Sequence, residues 1–164
     1  MSYALSPEEV ALRLGVAVLC GLFIGLDREV KRKSVGVRTF LLVCLGAAGF
    51  TITVIEVTHY YIVVYEDINP DPTRIVQGIV TGIGFLGGGA ILQSNGHITG
   101  AATGASIWVS GCIGVACGYG FYWHALIFTA YAFAVLVIAG YLRAKLRDDI
   151  KDDTGNVINT DTTE

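Results

Sequence analysis

Long apolar segments alternate with short polar connections along most of this chain. Five of these segments approach the ~20 residues that a helix needs to cross the ~30 Å hydrocarbon core of a bilayer. We therefore predict an all-α fold, a polytopic transmembrane helical bundle with about five spans. The predicted spans are residues 9–27, 37–57, 73–92, 99–119 and 122–142.

Two segments differ from simple apolar helices. The fourth predicted span is rich in Gly, Ser and Thr, so a re-entrant hairpin is an alternative to a full crossing there. Residues 148–164 are polar and lack hydrophobic periodicity, which predicts a disordered tail after a transmembrane domain at 1–147.

Composition supports a membrane protein. Hydrophobic residues make up 53% of the chain and charged residues 15%, and the mean hydropathy is +0.60. No Asp, Glu, Lys or Arg occurs between Ile75 and Leu142, and a surface that faces water could hardly be built from such a stretch. The net charge of -3 also argues against a nucleic-acid-binding protein, which would carry a basic stripe.

The basic residues predict an orientation, because Lys and Arg in short loops stay on the cytoplasmic side. The loop after the first span carries five of them, and the chain after the fifth span carries three more. The loop near 58–72 instead contains only acidic charges. We predict an N-terminus outside and a C-terminus in the cytoplasm of a multi-pass plasma (inner) membrane protein. The acidic start of the chain does not resemble a secretory signal, so the first span is expected to be retained.

Glycines at i and i+4 predict close helix packing, because association in lipid depends on backbones approaching each other. The pairs singled out for packing are Gly21/Gly25, Gly78/Gly82, Gly84/Gly88 and Gly100/Gly104. A further pair, Gly114/Gly118, lies in the fourth span, which we expect to neighbour the third at the centre of the bundle. Gly87–Gly89 indicates either a flat packing surface or an unwound turn.

The sequence GIGFLG at 82–87 also has the spacing of a dinucleotide-binding loop. That fold requires a preceding strand and an acid about 20 residues later, and no acid follows before Asp148. We therefore expect no nucleotide ligand and interpret these glycines as a packing surface.

Several polar residues could carry function. Asp27 stands at the membrane border, where it can pair with Lys31 at i+4, as Glu29 can with Lys33. Arg74, Gln77 and Thr81 form a stripe on one face of the third span, either for hydrogen bonding between helices or for lining an ion path. Asp71 can cap or pair with Arg74 at the start of that span. Asp27 and Asp71 are the best candidates for metal ligands, although the metal is unknown.

The remaining reactive side chains indicate no catalytic or metal centre. The four cysteines fall inside apolar segments without a C-x-x-C pair, and the three histidines are scattered without metal-ligand spacing. No nucleophile, base and orienting group recur at a spacing typical of an enzyme. We predict that the protein is not an enzyme and uses no cofactor, and the alternative is that it binds Mg²⁺.

Three stretches resemble the membrane domain of the MgtC/SapB family. They are GLFIGLDREVKRKSVGVRTFLLVCLGAAGFT, DPTRIVQGIVTGIGFLGGGAIL and GAATGASIWVSGCIGVACGYG, and together they cover most of residues 21–120. By matching position, the polar signature of the family falls on Asp27, Arg28, Glu29, Arg38, Thr39, Asp71, Arg74, Gln77, Asn95 and Thr103.

The resemblance implies an inner-membrane protein linked to magnesium limitation and, in pathogens, to survival inside host cells. Its best known members look like regulators that bind other membrane proteins, including the ATP synthase. This chain departs from many relatives in having Thr99–Thr103 as TGAAT, without a basic residue. Its tail is also too short for the ACT-like C-terminal domain of longer members, so we expect a short form.

We therefore predict a regulator or interaction protein linked to magnesium and ion homeostasis. Its expected partners are the lipid bilayer, further copies in a homo-oligomer, or another membrane protein, with no nucleic acid. The alternative is a small channel or transporter for Mg²⁺ or another solute.

Overall fold

The described part of this computed structural model comprises residues 4–65, 71, 73–94 and 97–160, with the backbone alone at residues 75, 94, 97, 144 and 147–160. It is an all-α membrane bundle with one short β-hairpin, which confirms the predicted class. The helices are α1 Pro7–Val30, α2 Val37–Val64, α3 Thr73–Gly89, α4 Ala101–Gly118 and α5 Tyr122–Thr160. The strands are β1 Leu92–Ser94 and β2 His97–Thr99.

Both ends of α1 follow from its sequence. Ser6 caps the helix by accepting a hydrogen bond from the backbone N–H of Glu9 at 3.2 Å, and Pro7 fits the first turn. After the helix ends at Val30, Arg32 adopts a left-handed φ of 48°. This conformation cannot continue a right-handed helix, so the chain turns back towards α2.

The central helix of the bundle is α4, which packs against α1, α2, α3 and α5. Small residues allow this close packing. A Cβ added to Gly114 would lie 2.8 Å from Cβ of Ala47 on α2, and one added to Gly118 would lie 2.7 Å from the carbonyl oxygen of Ala48. The glycines of α4 therefore let the backbone of α2 approach without a gap.

Helix α3 packs on α4 but lies at the edge of the bundle. Its contact runs from Ile83, beside Gly111, to Gly87, where an added Cβ would lie 3.0 Å from the carbonyl oxygen of Gly104. The predicted neighbourhood of the third and fourth spans is thus confirmed, but only α4 is central. Contacts between α3 and α2 are sparse.

The third predicted span, 73–92, extends too far. Helix α3 ends at Gly89, and β1 begins at Leu92, because three consecutive glycines have a low helix propensity. Its 17 residues rise about 26 Å. Within the described chain, four helices are long and apolar enough to cross a membrane, Pro7–Val30, Val37–Val64, Ala101–Gly118 and Tyr122–Arg143, and α3 contains a shorter apolar helix, Val76–Gly89.

The segment predicted as the fourth span is one uninterrupted helix from Ala101 to Gly118, so the re-entrant alternative is wrong. A hairpin precedes it, in which antiparallel β1 and β2 pair Leu92 with Thr99. An Asn-Gly dipeptide between short strands is a hairpin signal in the sequence. Asn95 and Gly96 themselves lie outside the described residues.

Helix α5 continues beyond the predicted end of the fifth span. The backbone is helical from Tyr122 to Thr160, so residues 148–160 extend the helix, whereas the sequence predicts disorder there. No proline follows Pro72, and nothing in the backbone therefore interrupts the hydrogen-bonding pattern. Residues 161–164 lie outside the described part.

Contacts at the two ends of the bundle give the helix directions. Beyond the C-terminal end of α1, Lys31 reaches the carbonyl oxygen of Leu136 on α5. Near its N-terminal end, Arg13 donates to the carbonyl oxygen of Gly118, the last residue of α4. Consecutive helices therefore run in opposite directions. The basic residues after α1 lie at the same end as those of α5. We call this the basic end, and it carries Arg28, Lys31, Arg32, Lys33, Arg38, Arg143 and Lys145.

Candidate functional site

Three consecutive charged residues at the basic end of α1 connect this helix to three others, two of them directly and one through Lys31. Asp27, Arg28 and Glu29 point in different directions because successive residues on a helix are about 100° apart. Asp27 pairs with Lys31, which reaches α5, and the partners of Arg28 and Glu29 lie on α4 and α2. The short sequence DRE therefore fixes the relative positions of four helices at this end of the bundle.

Asp27 is connected to α5 through Lys31. The Lys31 Nζ atom lies 2.6 Å from Oδ1 of Asp27 and 3.1 Å from the carbonyl oxygen of Leu136. The Asp27 side chain is only 6% exposed, and its Oδ2 atom has no hydrogen-bond partner among the described residues. The predicted Asp27–Lys31 pair is thus present. It balances an acid that would be costly at the membrane border.

Arg28 connects α1 to α4. Its side chain is 4% exposed, and Nη2 donates a hydrogen bond to Oγ1 of Thr103 in the first turn of α4. The Nε atom has no partner among the residues described. Two candidate residues from distant stretches meet here. A buried guanidinium depends strongly on the few acceptors within its reach.

Glu29 connects α1 to α2. Its Oε2 atom accepts a hydrogen bond from the backbone N–H of Val37, the first residue of α2, at 3.0 Å. Gly36 has no Cβ, which leaves room for the carboxylate to approach. The acid also lies favourably at the positive end of the α2 dipole. The predicted Glu29–Lys33 pair does not form in the described structure, because α1 ends at Val30.

Arg38 and Thr39 occupy the first turn of α2. Arg38 is exposed, and Thr39 is half-buried at the mouth of a groove between α2 and α3. Neither side chain joins the cluster formed by Asp27, Arg28 and Glu29. Asn95, also predicted for the site, lies outside the described residues.

Asp71 lies at the opposite end of the bundle from Asp27. Its Oδ1 atom accepts hydrogen bonds from the hydroxyl of Thr73 at 2.6 Å and from the backbone N–H of Thr73 at 2.9 Å. These bonds stabilise the carboxylate and lower the pKa of Asp71 below its ordinary value. The two proposed metal ligands do not converge. Among the described residues, no group of three or more His, Cys, Asp or Glu could hold a metal ion.

Arg74, Gln77 and Thr81 point away from the bundle. All three are exposed, and the Thr81 hydroxyl donates to the backbone carbonyl of Gln77 at 2.8 Å. The stripe faces outward because Ile83 and Gly87 hold the other side of α3 against α4. We call this exposed surface the outer face of α3. Its residues are Arg74, Gln77, Thr81, Gly84, Phe85 and Gly88.

The glycines predicted to pack fall into two groups. A Cβ added to Gly21 would lie 2.8 Å from the carbonyl oxygen of Phe40, and one added to Gly25 would lie 2.8 Å from Cα of Val37. Gly104 lies against Gly87, and Gly100 adopts a φ of 86° against Ala90. The other four have open space within 4 Å of an added Cβ: Gly78, Gly82, Gly84 and Gly88.

A second polar cluster, which was not predicted from the sequence, lies at the opposite end of the bundle. Oε1 of Glu9 accepts hydrogen bonds from Nε of Arg13 and from the hydroxyl of Tyr122, both at 2.9 Å. Arg13 also donates to the carbonyl oxygen of Gly118 at 2.7 Å. The i, i+4 spacing of Glu9 and Arg13 was a visible signal. The contacts with Gly118 on α4 and Tyr122 on α5 could not be predicted, because they depend on how the helices pack.

The chain is similar in sequence to several known proteins. The chain matches the MgtC family over residues 14–145. It is 44% identical to an uncharacterized protein of Haemophilus influenzae over 127 residues, covering 76% of this chain and 53% of that protein. It is 38% identical to SapB of Bacillus subtilis over 126 residues, covering 76% and 53%.

A further relative is the YhiD protein of Escherichia coli K12, whose name proposes a magnesium transporter. It is 36% identical over 118 residues, covering 72% of this chain and 54% of YhiD. The chain thus spans about half the length of the curated relatives that it matches. No solved structure matches it. With the family matched over most of its length, the chain belongs to the MgtC family.

Proposed function

We propose that this MgtC family member is a regulator or interaction protein of the plasma (inner) membrane that docks through the outer face of α3 and adjusts magnesium or ion homeostasis. The observation that carries the proposal is the exposure of Gln77, Thr81, Gly84 and Gly88 on one helix. The bound partner would be a second copy or another membrane protein.

The physical argument concerns what a bilayer tolerates. A glutamine that faces hydrocarbon leaves its amide without hydrogen bonds, which favours contact with another polar or backbone group. Gly84 and Gly88 are spaced at i and i+4 and have room for a neighbouring backbone. In membranes such small-residue pairs favour helix association. Polar and small residues on the same face therefore support a docked helix.

The charges support an orientation for this assembly. Seven basic side chains lie at the basic end, whereas only two described basic side chains, Arg13 and Arg74, lie towards the opposite end, together with the acids Glu9, Glu56 and Asp71. By the positive-inside rule, the basic end and the C-terminus would lie in the cytoplasm and the N-terminus outside. Reaction of single engineered cysteines with a membrane-impermeant thiol reagent in intact cells and in inverted vesicles tests this orientation.

Docking is tested by replacing Gly84 with leucine. The matched control is Gly15→Leu, because Gly15 on α1 also has open space around an added Cβ. Two differently tagged copies are expressed together, and co-purification of the second copy and of other membrane proteins is measured. We expect Gly84→Leu to reduce association at least tenfold and Gly15→Leu to preserve it. Equal association in both variants would contradict the proposed surface.

Transport is the alternative function, supported by the name of YhiD and by the Asp27 Oδ2 atom that has no partner among the described residues. Against it, Lys31 already neutralises this acid, and Mg²⁺ usually binds one or two carboxylates while keeping several waters. Purified protein in liposomes separates the two functions. Mg²⁺ flux that Asp27→Asn abolishes would favour transport, whereas absent flux with a retained membrane partner supports regulation.

A further inference from the structure

A groove between α2 and α3 is separate from the outer face of α3. Its volume is about 740 Å³, within the range of about 300–1,000 Å³ that is typical of ligand sites. Its lining on α2 includes Thr39, Leu42 and Phe50, and its lining on α3 includes Gly78, Gly82 and Leu86. All but Thr39 are apolar or glycine, so the groove suits a hydrocarbon ligand.

Glycines keep this groove open. A Cβ added to Gly46, Gly78 or Gly82 would meet nothing within 4 Å. These residues therefore provide space instead of the close contacts made by Gly114 and Gly118 on α4. Large apolar side chains border the space. They are accessible to a ligand, because Leu42 is 66% exposed and Leu86 is 53% exposed.

The length and position of the groove fit one leaflet of a bilayer. Along α2 it extends from Thr39 to Phe50, which corresponds to about 16 Å of helix. This is close to half of the ~30 Å hydrocarbon core. The groove starts in the first turn of α2 and ends at Phe50, halfway along that helix, which corresponds to the middle of a bilayer that α2 crosses.

Positive charge lies at the open mouth of the groove. Arg38 is exposed one helical turn before Leu42, and on the same side of α2. Lys33 is exposed in the preceding loop. The nearby acids have partners already, because Asp27 binds Lys31 and Glu29 binds the N–H of Val37. A phosphate group at the mouth would therefore meet an excess of positive charge.

We propose that this groove binds an anionic phospholipid, with an acyl chain along α2 and α3 and the phosphate beside Arg38 and Thr39. The hydrocarbon chain fills the space left by the glycines. The arginine supplies a charged donor suited to a phosphate. Basic pockets between helices at a membrane surface are known to favour acidic headgroups.

Native mass spectrometry of the full chain tests the proposal with phosphatidylglycerol and phosphatidylcholine. We expect one tightly held phosphatidylglycerol, and a preference over phosphatidylcholine that falls about fivefold in Arg38→Gln, as for the loss of one charge near the surface. The control is Arg143→Gln, because Arg143 is also basic and exposed but lies on α5. An equal loss in the control would overturn the proposal in favour of diffuse charge.

A second pair of variants tests the acyl-chain groove. Gly82→Leu should weaken the binding of both lipids at least tenfold by filling the groove, whereas Gly15→Leu should leave it unchanged. Thermal melting in detergent checks that both variants are folded. Unaltered lipid binding in a folded Gly82→Leu variant would overturn the proposal. If that variant instead loses only association between copies, the groove is occupied by a second chain and the lipid assignment is wrong.

Discussion

Polar residues occur in two very different settings in this bundle. At the basic end of α1, Asp27, Arg28 and Glu29 each contact another part of the same chain, and Arg28 is almost fully buried. On the outer face of α3, Gln77 and Thr81 are exposed beside Gly84 and Gly88, where an added Cβ would meet nothing within 4 Å in the described structure. The first group binds helices together within one molecule, while the second presents groups that a partner could use.

This difference separates residues that stabilise the single chain from residues that are available to bind a partner. A charged residue whose partner lies on another helix of the same chain will affect stability when it is replaced. A polar residue on an open face will affect association while leaving the single chain folded. Substitutions at the basic end of α1 should therefore lower the melting temperature, whereas substitutions on the outer face of α3 should reduce assembly. Measuring both quantities for each variant tests the comparison directly.

The largest effect is expected from Lys31→Met. This change leaves the Asp27 carboxylate, only 6% exposed, without its ionic partner, and removing one member of a buried pair costs about 3 kcal/mol. Reversible unfolding in detergent measures the loss. Lys33→Met is the control, because Lys33 is exposed in the same loop and should change stability by less than about 0.5 kcal/mol. Equal effects of the two substitutions would show that Asp27 does not depend on Lys31.

The next effect contrasts a packed glycine with an open one. Gly114→Ala should destabilise the chain by about 2 kcal/mol, because the added methyl group meets Ala47 and the backbone of Cys44 on α2. Gly84→Ala should leave stability unchanged or raise it by up to about 1 kcal/mol, since alanine favours helix and the surrounding space is open. The same unfolding assay compares them. Similar losses would mean that α3 and α4 do not differ in packing.

A smaller effect is expected from Thr103→Val. This change removes the acceptor of the buried Arg28 guanidinium, and leaving a buried donor unsatisfied costs about 1.5 kcal/mol. Thr53→Val provides the control, because the exposed Thr53 hydroxyl only donates to the carbonyl oxygen of Gly49 on its own helix. The melting temperatures of Thr103→Val and Thr53→Val, each compared with that of the parent, measure the two losses of stability. A control that melts as low as Thr103→Val would argue against a link between α1 and α4.

The fold could largely be predicted because its main determinant is local. Apolar runs of membrane length fix the number of helices, and Ser6 with Pro7 fixes the start of α1. The end of α3 was misplaced because Ile91 and Leu92 continue the apolar run beyond the helix. Hydropathy alone does not distinguish a helix from a short apolar strand. The Asn-Gly dipeptide, a hairpin signal, was the feature of the sequence that could have placed the end of α3 correctly.

The candidate site was predictable only where its partners are close in sequence. The Asp27–Lys31 pair follows from i, i+4 spacing. By contrast, the contact of Arg28 with Thr103 crosses 75 positions, and the contact of Tyr122 with Glu9 crosses 113. These contacts depend on how the helices pack. The sequence predicts that Arg74, Gln77 and Thr81 share one face of α3, because their spacing is local. It does not predict that this face points outward, because that depends on how the helices pack.

The smallest effect concerns Asp71, whose carboxylate is hydrogen-bonded to Thr73 at the start of α3. Its folded pKa lies below the ordinary value of 3.8. The stabilising contribution is therefore complete above pH 3.8 and is lost as the pH falls through the lower folded pKa. Because the side chain is exposed, solvent and salt weaken the interaction.

Asp71→Asn retains an oxygen that can accept both hydrogen bonds but cannot titrate as a carboxylate. The decrease in melting temperature between about pH 5 and pH 3 should be slightly smaller in this variant than in the parent, since all other acids are shared. Differential scanning fluorimetry at low salt measures the difference between the two curves. Superimposable curves would show that the bonds to Thr73 do not favour the charged form of Asp71. In that case the polar groups of α3 would contribute nothing to the stability of the single chain, even at the start of this helix.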